Sequence, residues 1–375
     1  MDRTVLLSDD IETRYTLTAR NLDGTLLADL TGDLVAGTAE VARRGVRRST
    51  SAQPESARAE FRCTLRRRLP WTQVLLAPVF EFTDRTTDTT LSWPMGLYLA
   101  SSPSKDRTDE QIFDVVARDI IHIFDTPITA SFSVAEGDSI PDTLDAFLTN
   151  EDRWPGFDLS VLPIGDELFT ASHTWSIGEG WTYLDIANEM LTLSGYRPLW
   201  STREGYITSQ PAGHLLDRSS EWTIDATSGA GEIDDRSHVV TDIDDTPNVW
   251  LGISMDIDNV PTESDVTIYR IRNVDVGDTS INARGREVND IVITDAASSA
   301  AVVRIVESAA EEAVAATHRG VLYVSPLPFV WHNTRLTVHD PQLDLLHAPM
   351  VVSEWELTAA NGMVLVCDRL AKVVA

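Results

Sequence analysis

Apolar and polar residues alternate in short runs between residues 5 and 82 of the chain. Examples are TRYTLTAR (13–20), AEFRCTLRRRL (59–69) and QVLLAPVFEF (73–82). Successive side chains of a β-strand point to opposite faces, so this period of two predicts half-buried strands. The stretches NLDGT, LTGD and AQPES between the runs contain turn-forming residues. We therefore expect residues 1–130 to form a β-domain, either a barrel or a sandwich, with one element after residue 109 that the pattern leaves open between strand and short helix.

A weak internal repeat follows at an offset of 43 residues. The segments VAEGDSIPDTLDAFLT (134–149) and IGEGWTYLDIANEMLT (177–192) are identical at five aligned positions: Glu136/Glu179, Gly137/Gly180, Asp142/Asp185, Leu148/Leu191 and Thr149/Thr192. Each segment predicts a strand that ends at Glu-Gly and a helix that begins at an N-cap hydroxyl, Ser139 or Thr182. Residues 131–215 are therefore expected to form two strand-helix units.

The two Glu-Gly corners also raise the question of a phosphate site, because glycine-rich loops before helices bind phosphate groups. Such loops usually add a lysine or a net positive charge. These corners instead carry Glu136 and Glu179. We therefore interpret them as the starts of two helices that pack on a sheet.

After Pro211 the chain is acidic and again rich in alternating runs, such as NVWLGIS (248–254) and VTIYRIR (266–272). A broad apolar face predicts a helix over about residues 295–319, with Gly320 as its stop. Further strands follow it, and Asn361-Gly362 predicts the last hairpin turn. The fold class we expect is mainly β with α+β insertions, in which two β-barrel or sandwich domains (1–130 and 216–375) flank the two strand-helix units.

The composition limits the classes of function. The hydrophobic content of 43% is that of a globular protein, and no apolar run approaches the ~20 residues that a membrane-spanning helix needs. The acidic start MDRTVLLSDD has no apolar signal region, and the two cysteines, Cys63 and Cys367, form no disulfide framework. We therefore expect synthesis in a reducing cytoplasm. The net charge of −28 argues against general nucleic-acid binding.

The positive charge is concentrated in one segment. Residues 43–68 hold nine arginines against two glutamates. Such a block could contact DNA, a membrane surface or an acidic protein neighbour, or it could be a solvated strand face. Because the rest of the chain is acidic, a contact between subunits is the interpretation we favour. The candidate residues for it are Arg43, Arg44, Arg47, Arg48, Arg66, Arg67 and Arg68.

The sequence contains no recognisable nucleophile elbow, zinc-protease helix, P-loop, dinucleotide fingerprint or kinase motif set, so we predict no catalytic, cofactor or metal residues. His332 and His339 lack a third ligand at metal spacing, and the clusters Asp242-Asp244-Asp245 and Asp256-Asp258-Asn259 lack the pattern of a calcium loop. We interpret these clusters as solvated acidic loops. The ten tryptophans are spread evenly, which favours core and interface positions over a sugar-stacking platform.

Several segments resemble the tail hub, or minor tail protein, family of long-tailed phages, especially phages of actinobacteria. They are WSIGEGWTYLDIANEMLTLSGYRPLWSTREGYITSQP (175–211), DDTPNVWLGIS (244–254), SINARGREVNDI (280–291), VSPLPFVWHNTRLTVHD (324–340) and VVSEWELTAANGMVLVCDRL (351–370). The resemblance covers roughly residues 90–370. The arginine-rich segment before Trp71 has no counterpart in it.

The resemblance implies a non-enzymatic homotrimer whose two β-domains per subunit form a ring at the tail tip of a virion. The implied partners are the distal tail or tail tube protein, the tape-measure protein and other tail-tip or receptor-binding proteins, while viral DNA passes through without specific binding. The alternatives from other classes are a tail-associated enzyme that degrades carbohydrate or cell wall with two carboxylates, and a glycan-binding module.

Overall fold

The computed structural model describes residues 11–44, 56–105, 112–150, 152–159, 161, 165, 168–169, 172–194, 196–211, 216, 218–227, 233–241, 243, 246–254, 267–294, 299–358 and 362–371. Over these residues the protein is mainly β, with one large sheet that is almost entirely antiparallel and few helices. The helices in the described residues are not both long and apolar enough to cross a membrane.

The first part of the chain forms the strands predicted from its alternating runs. They are β1 (Ile11–Asn21), β2 (Leu26–Asp29), β3 (Glu40–Arg44), β4 (Arg58–Leu65), β5 (Val74–Asp84), β6 (Thr89–Pro94), β7 (Tyr98–Ala100), β8 (Ser104–Lys105) and β9 (Phe113–Asp119). In β1, Tyr15, Leu17 and Ala19 are buried and their neighbours are not. The element left open by the sequence is β9 followed by a 3-10 helix, Ile120–Phe124.

The middle of the chain contains two strands that are each followed by a helix, but the strands end at Val134 and Trp175, before the Glu-Gly corners at which the sequence predicted their ends. It contains β10 (Phe132–Val134), α1 (Ile140–Leu148), β11 (His173–Trp175), α2 (Tyr183–Leu193), β12 (Trp200–Ser201) and β13 (Ile207–Thr208). The repeated strands pair with each other, with Phe132 opposite Trp175. The Ser139 hydroxyl accepts a hydrogen bond from the Asp142 N–H at 3.3 Å. Thr182 and Asp185 form a reciprocal capping box, so each helix starts where the sequence places it.

The last part contributes β14 (Trp222–Asp225), β15 (His238–Thr241), β16 (Val249–Ser254), β17 (Thr267–Arg272), α3 (Ile281–Arg284), β18 (Asn289–Thr294), α4 (Ser299–Ala316), β19 (His318–Val324), β20 (Arg335–Asp340), β21 (Leu345–Thr358) and β22 (Gly362–Arg369). The helix α4 confirms the one predicted over about 295–319. It packs on the three-stranded sheet β17-β16-β18, with Trp250, Val302 and Val306 buried between the layers. Of the predicted last turn, Gly362 has a φ of 83° and Asn361 lies outside the described residues.

The first and last parts of the chain share one sheet. Among the described residues, fifteen strands form it, and its main path runs β15-β19-β22-β21-β3-β4-β9-β7-β5-β1-β2. The join is between β21 and β3, where Trp355 lies opposite Arg43 and Thr358 opposite Glu40. One hydrophobic core lies against this sheet and includes residues from both parts, such as Phe61 and Leu365. The middle units have a separate core around Trp175.

Candidate interaction surface

The arginines proposed for a subunit contact lie in different environments. In strand β3, Val41, Ala42 and Arg43 are buried, while Arg44 at the end of the strand is exposed. The Arg43 side chain is 0% exposed, and its Nη1 donates a hydrogen bond to the Ser201 carbonyl oxygen at 2.9 Å. Its guanidinium also lies 5.4 Å from the centre of the Trp331 ring. Arg43 is therefore used inside the subunit.

The surroundings of Arg43 connect all three parts of the chain. Asp119, at the end of β9, accepts hydrogen bonds through Oδ2 from the Ala59 N–H at 3.0 Å and the Ser201 hydroxyl at 3.2 Å. The indole N–H of Trp331 donates to the same Ser201 carbonyl at 3.1 Å. We call Arg43, Asp119, Ser201 and Trp331 the Arg43 junction. Because the junction is buried, its polar groups depend on neighbouring groups of the protein for hydrogen bonds.

Burial sets the protonation of the junction. It raises the pKa of Asp119 above the ordinary value of an aspartate, although the positive charges of Arg43 and Arg58 oppose that shift. It likewise lowers the pKa of Arg43. Arginine keeps its proton in proteins, so the carboxyl of Asp119 is the group of this pair that titrates.

The other arginines of the basic segment are on the surface where they are described. Arg44 is exposed at the end of β3, and Arg66, Arg67 and Arg68 are exposed after β4. Arg67 lies 3.6 Å from the Asp33 carboxylate, a half-exposed pair. Arg47 and Arg48 lie outside the described residues. The subunit contact proposed for this segment is therefore available to Arg44 and to residues 66–68.

A surface cavity of about 210 Å³ opens at the end of strands β3, β4 and β9. Arg44 and Arg58 lie directly opposite each other in β3 and β4, and Arg118 lies opposite Glu60 in β9 and β4. The 3-10 helix after β9 adds His122, with Asp125 at its end and Asp119 at its start. We call the space between Arg44, Arg58 and Arg118 the arginine cleft.

A chain of side-chain contacts runs along one wall of the cleft. Arg118 Nη1 lies 3.1 Å from His122 Nε2, and His122 Nδ1 lies 2.9 Å from Asp125 Oδ2. An arginine can only donate, so Nε2 is the acceptor and Nδ1 carries the proton of a neutral imidazole. Asp125 then binds Arg58 through its other oxygen at 2.5 Å. These contacts fix the orientations of the Arg118, His122, Asp125 and Arg58 side chains along this wall.

Of the residues in this cleft, only Arg44 is among those predicted from the sequence to form a subunit contact. Arg58 belongs to the basic segment, but Arg118, His122 and Asp125 come from a distant strand and the helix after it. The pairing of β4 with β9, which brings them together, is a non-local contact that no local pattern encodes. The signal present in the sequence was the closely spaced set of charged residues R-D-I-I-H-I-F-D at 118–125.

The histidines weighed as metal ligands lie apart. His332 packs against Trp200, and burial lowers its pKa well below the ordinary value, so its imidazole is neutral. His339 stacks on His347 with ring centres 4.1 Å apart. Within the described residues no group of three His, Cys, Asp or Glu side chains is placed to hold a metal ion. Both aspartate clusters considered for calcium lie outside the described residues.

The tryptophans confirm the prediction of core positions. Trp93, Trp175, Trp200, Trp250, Trp331 and Trp355 are buried, and the other four are half-buried. Trp331 and Trp355 pack together with ring centres 5.0 Å apart beside the Arg43 junction. The ten indoles therefore support the interior of the subunit.

The chain is similar to known proteins in its three-dimensional structure. No protein-family model and no curated protein matches the chain. Among solved structures, the tail protein from Neisseria meningitidis MC58 superposes with a TM-score of 0.61 at 11% identity, over 95% of this chain and 96% of that one. The 43 kDa tail protein of prophage MuSo2 from Shewanella oneidensis superposes with a TM-score of 0.57 at 12% identity, over 96% and 98%.

A longer protein also contains this fold. A chain of the Francisella PdpA-VgrG complex superposes with a TM-score of 0.52 at 9% identity. The match covers 97% of the present chain but only 53% of that chain, so this chain spans about half its length. At these identities the similarity shows the fold, and it extends over nearly the whole of two phage or bacterial tail proteins.

Proposed function

We propose that the chain is a structural component of a phage tail tip, a hub that joins the tail tube to the tip and receptor-binding proteins. The observation that carries the proposal is the extent of the structural similarity. Two tail proteins superpose over more than nine-tenths of both chains, so the similarity is to a whole tail protein and not to a shared module. The sequence resemblance to tail hub proteins supports the same conclusion independently.

In this proposal the subunit is a homotrimer located in the virion. Residues 1–130 and 216–375 act as two hub domains per subunit, so that three copies present six domains around a ring. Both parts contribute strands to one sheet, joined at β3 and β21, and share one hydrophobic core, so in this proposal the two hub domains of a subunit are fused side by side. Residues 131–215, with their own core, form the part between them. The phage is proposed to infect an actinobacterium.

The proposed neighbours are the distal tail or tail tube protein, the tape-measure protein and tip proteins, and DNA would pass without specific binding. The net charge of −28 supports that passage, because like charges keep DNA from adhering to the protein.

At the join of the two parts, Glu40 and Glu356 are near enough for their charges to interact. Burial, together with this repulsion, raises the pKa of Glu40. Arg44, Arg47, Arg48 and Arg66–Arg68 are the proposed cationic contacts with acidic neighbours.

The test is the mass and shape of the purified protein. Sedimentation velocity should give three times the subunit mass of 41.4 kDa, and negative-stain images should show a three-fold ring. A protein that stays monomeric at high concentration and fails to enter tails when supplied to a hub-deficient phage would contradict the proposal. The proposal is also structural rather than catalytic, so turnover of host cell-wall material by the purified protein would count against it.

A further inference from the structure

We propose that the arginine cleft binds a carboxylate side chain from a second copy of this chain. The inference rests on the homo-oligomer of the proposed function and adds to it a specific site, the ligand class and the source of the ligand. The site is the cavity of about 210 Å³ between Arg44, Arg58 and Arg118.

The positive charge of the cleft is not fully balanced by ion pairs within the described residues. Arg58 is paired with Asp125, and Glu60 is paired with Arg62. Arg44 and Arg118 are exposed, and neither has a carboxylate within 4.0 Å among the residues that the structure describes. Two guanidinium groups thus face the cleft with donors to offer. A guanidinium group can bind a carboxylate through two parallel N–H···O hydrogen bonds. A single carboxylate placed between Arg44 and Arg118 could accept hydrogen bonds from both side chains.

Two of the residues that line the cleft, Arg58 and Asp119, each have a buried polar atom. Arg58 Nη1 and Asp119 Oδ1 are both buried and have no hydrogen-bond partner within the described part of the chain. Asp119 is 1% exposed. Its Oδ2 already accepts two hydrogen bonds, so the proton of its neutral form lies on Oδ1.

The charges around the cleft determine the chemistry of the ligand. Burial raises the pKa of Asp119, which works against a negative charge on this carboxyl, although Arg43 and Arg58 oppose the shift. Arg58, Arg44 and Arg118 are donors in any state. Glu60 and Asp125 also line the cleft, but each of these carboxylates is paired with an arginine, so the donors of Arg44 and Arg118 remain for an acceptor with negative charge.

The overall charge of the chain favours a second copy as the source of the carboxylate. The chain has 58 acidic and 30 basic residues, so the surface that one copy presents to another is dominated by carboxylates. Copies of such a chain repel one another unless their few cationic sites meet acidic ones. The cleft is a cationic site with a shape that accepts one side chain.

Lysine scarcity makes a direct chemical test possible. The chain has two lysines, Lys105 and Lys372, so replacing both with arginine leaves the N-terminal amine as its one primary amine. On that background Arg118→Lys places an amine in the cleft. A carbodiimide activates a carboxyl, the amine displaces the activating group, and an amide forms with net loss of water.

A carboxylate from a second copy would give covalent dimers and trimers on a denaturing gel, at multiples of 41.4 kDa, and tandem mass spectrometry of the linked peptides would name the acidic residue. Arg20→Lys, at an exposed position on β1, is the matched control and should give far fewer linked species. If the Arg118→Lys protein forms amide links only within one subunit, for example to Glu60 or Asp125, all linked peptides will come from the monomer band. That result would overturn the inference.

Charge reversal separates this inference from the proposed function. The double variant Arg44→Glu/Arg118→Glu should sediment as a monomer with an unchanged circular dichroism spectrum, while Arg20→Glu should assemble like the parent. If the double variant assembles normally, the cleft does not bind a carboxylate of a second copy, and the proposed ring is not contradicted. If the parent itself never assembles, the homo-oligomer and the cleft proposal both fail.

Discussion

Arg43 Nη1 and the carbonyl oxygen of Ser201 are joined by a buried hydrogen bond of 2.9 Å across 158 residues of sequence. The bond connects a strand of the first part of the chain to a strand of the middle part. Trp331, from the last part, donates to the same carbonyl. One acceptor thus organises contacts among all three parts, and the charge of Arg43 is held in place by this arrangement.

Truncation of Arg43 should therefore destabilise the subunit strongly. Arg43→Ala leaves the Ser201 carbonyl with one donor fewer and removes the positive charge beside Asp119, so we expect a loss of about 3 kcal/mol or more in the free energy of unfolding. Arg44→Ala, one residue along at an exposed position, should change it by less than about 0.5 kcal/mol. Urea unfolding followed by tryptophan fluorescence measures both. Equal effects of the two substitutions would contradict the structural role of Arg43.

The raised pKa of Asp119 gives a pH dependence with a defined sign. Since its folded-state pKa lies above that of the unfolded chain, the folded state binds the proton more tightly. This stabilisation is fully present below the unfolded pKa and is lost as pH rises through the folded pKa. The stability of the parent minus that of Asp119→Asn should therefore fall as pH is raised from about 4. Asp114→Asn, which removes an exposed carboxylate from the same strand, corrects for the change in net charge, and a difference that rises with pH would contradict the assignment.

Local elements could be predicted from the sequence. The two helices of the middle part start at Ser139 and Thr182 because capping depends on residues within one turn. Arg43 shares a strand face with Val41 and Arg44 does not, so the period of a strand separates the two arginines. The run of arginines concealed this alternation, because adjacent residues of one type suggest one environment although a strand gives them two.

The order of strands could not be predicted. The join of β21 to β3 pairs residues more than three hundred positions apart in sequence, and the bulge between Val352 and Glu354 changes which face each residue of β21 presents. Both features arise from tertiary packing, so no window of sequence encodes them. The arginine cleft depends on the pairing of β3, β4 and β9, which is also non-local. The sequence therefore does not show that Arg58 and Arg118 lie beside Arg44.

Thiol chemistry tests whether the shared core unfolds as one unit. Cys63 on β4 and Cys367 on β22 are both buried in this core, and burial raises the pKa of Cys63 to about 12 and that of Cys367 further. Both thiols should resist a disulfide reagent in the native protein at pH 8, because the thiolate is the reactive form. With increasing urea they should become reactive over the same range. Separate transitions, resolved by mass spectrometry of the labelled peptides, would show that residues 1–130 and 216–375 unfold independently.

Gly252 sets the distance between α4 and the small sheet beneath it. A Cβ built there would lie 2.3 Å from Val306 Cγ2 and 3.0 Å from Val302 Cγ1, so a side chain cannot fit unless these valine side chains or the helix move. We expect Gly252→Ala to reduce the free energy of unfolding of this layer by about 1–3 kcal/mol through overpacking. Gly32→Ala is the matched control because its Cβ would meet no atom within 4 Å. Adding Val306→Ala should restore part of the loss, since it removes the nearer methyl group. Hydrogen exchange of the β16 amides measures the layer directly, and unchanged protection in Gly252→Ala would show that the helix and sheet are less closely packed than these distances require.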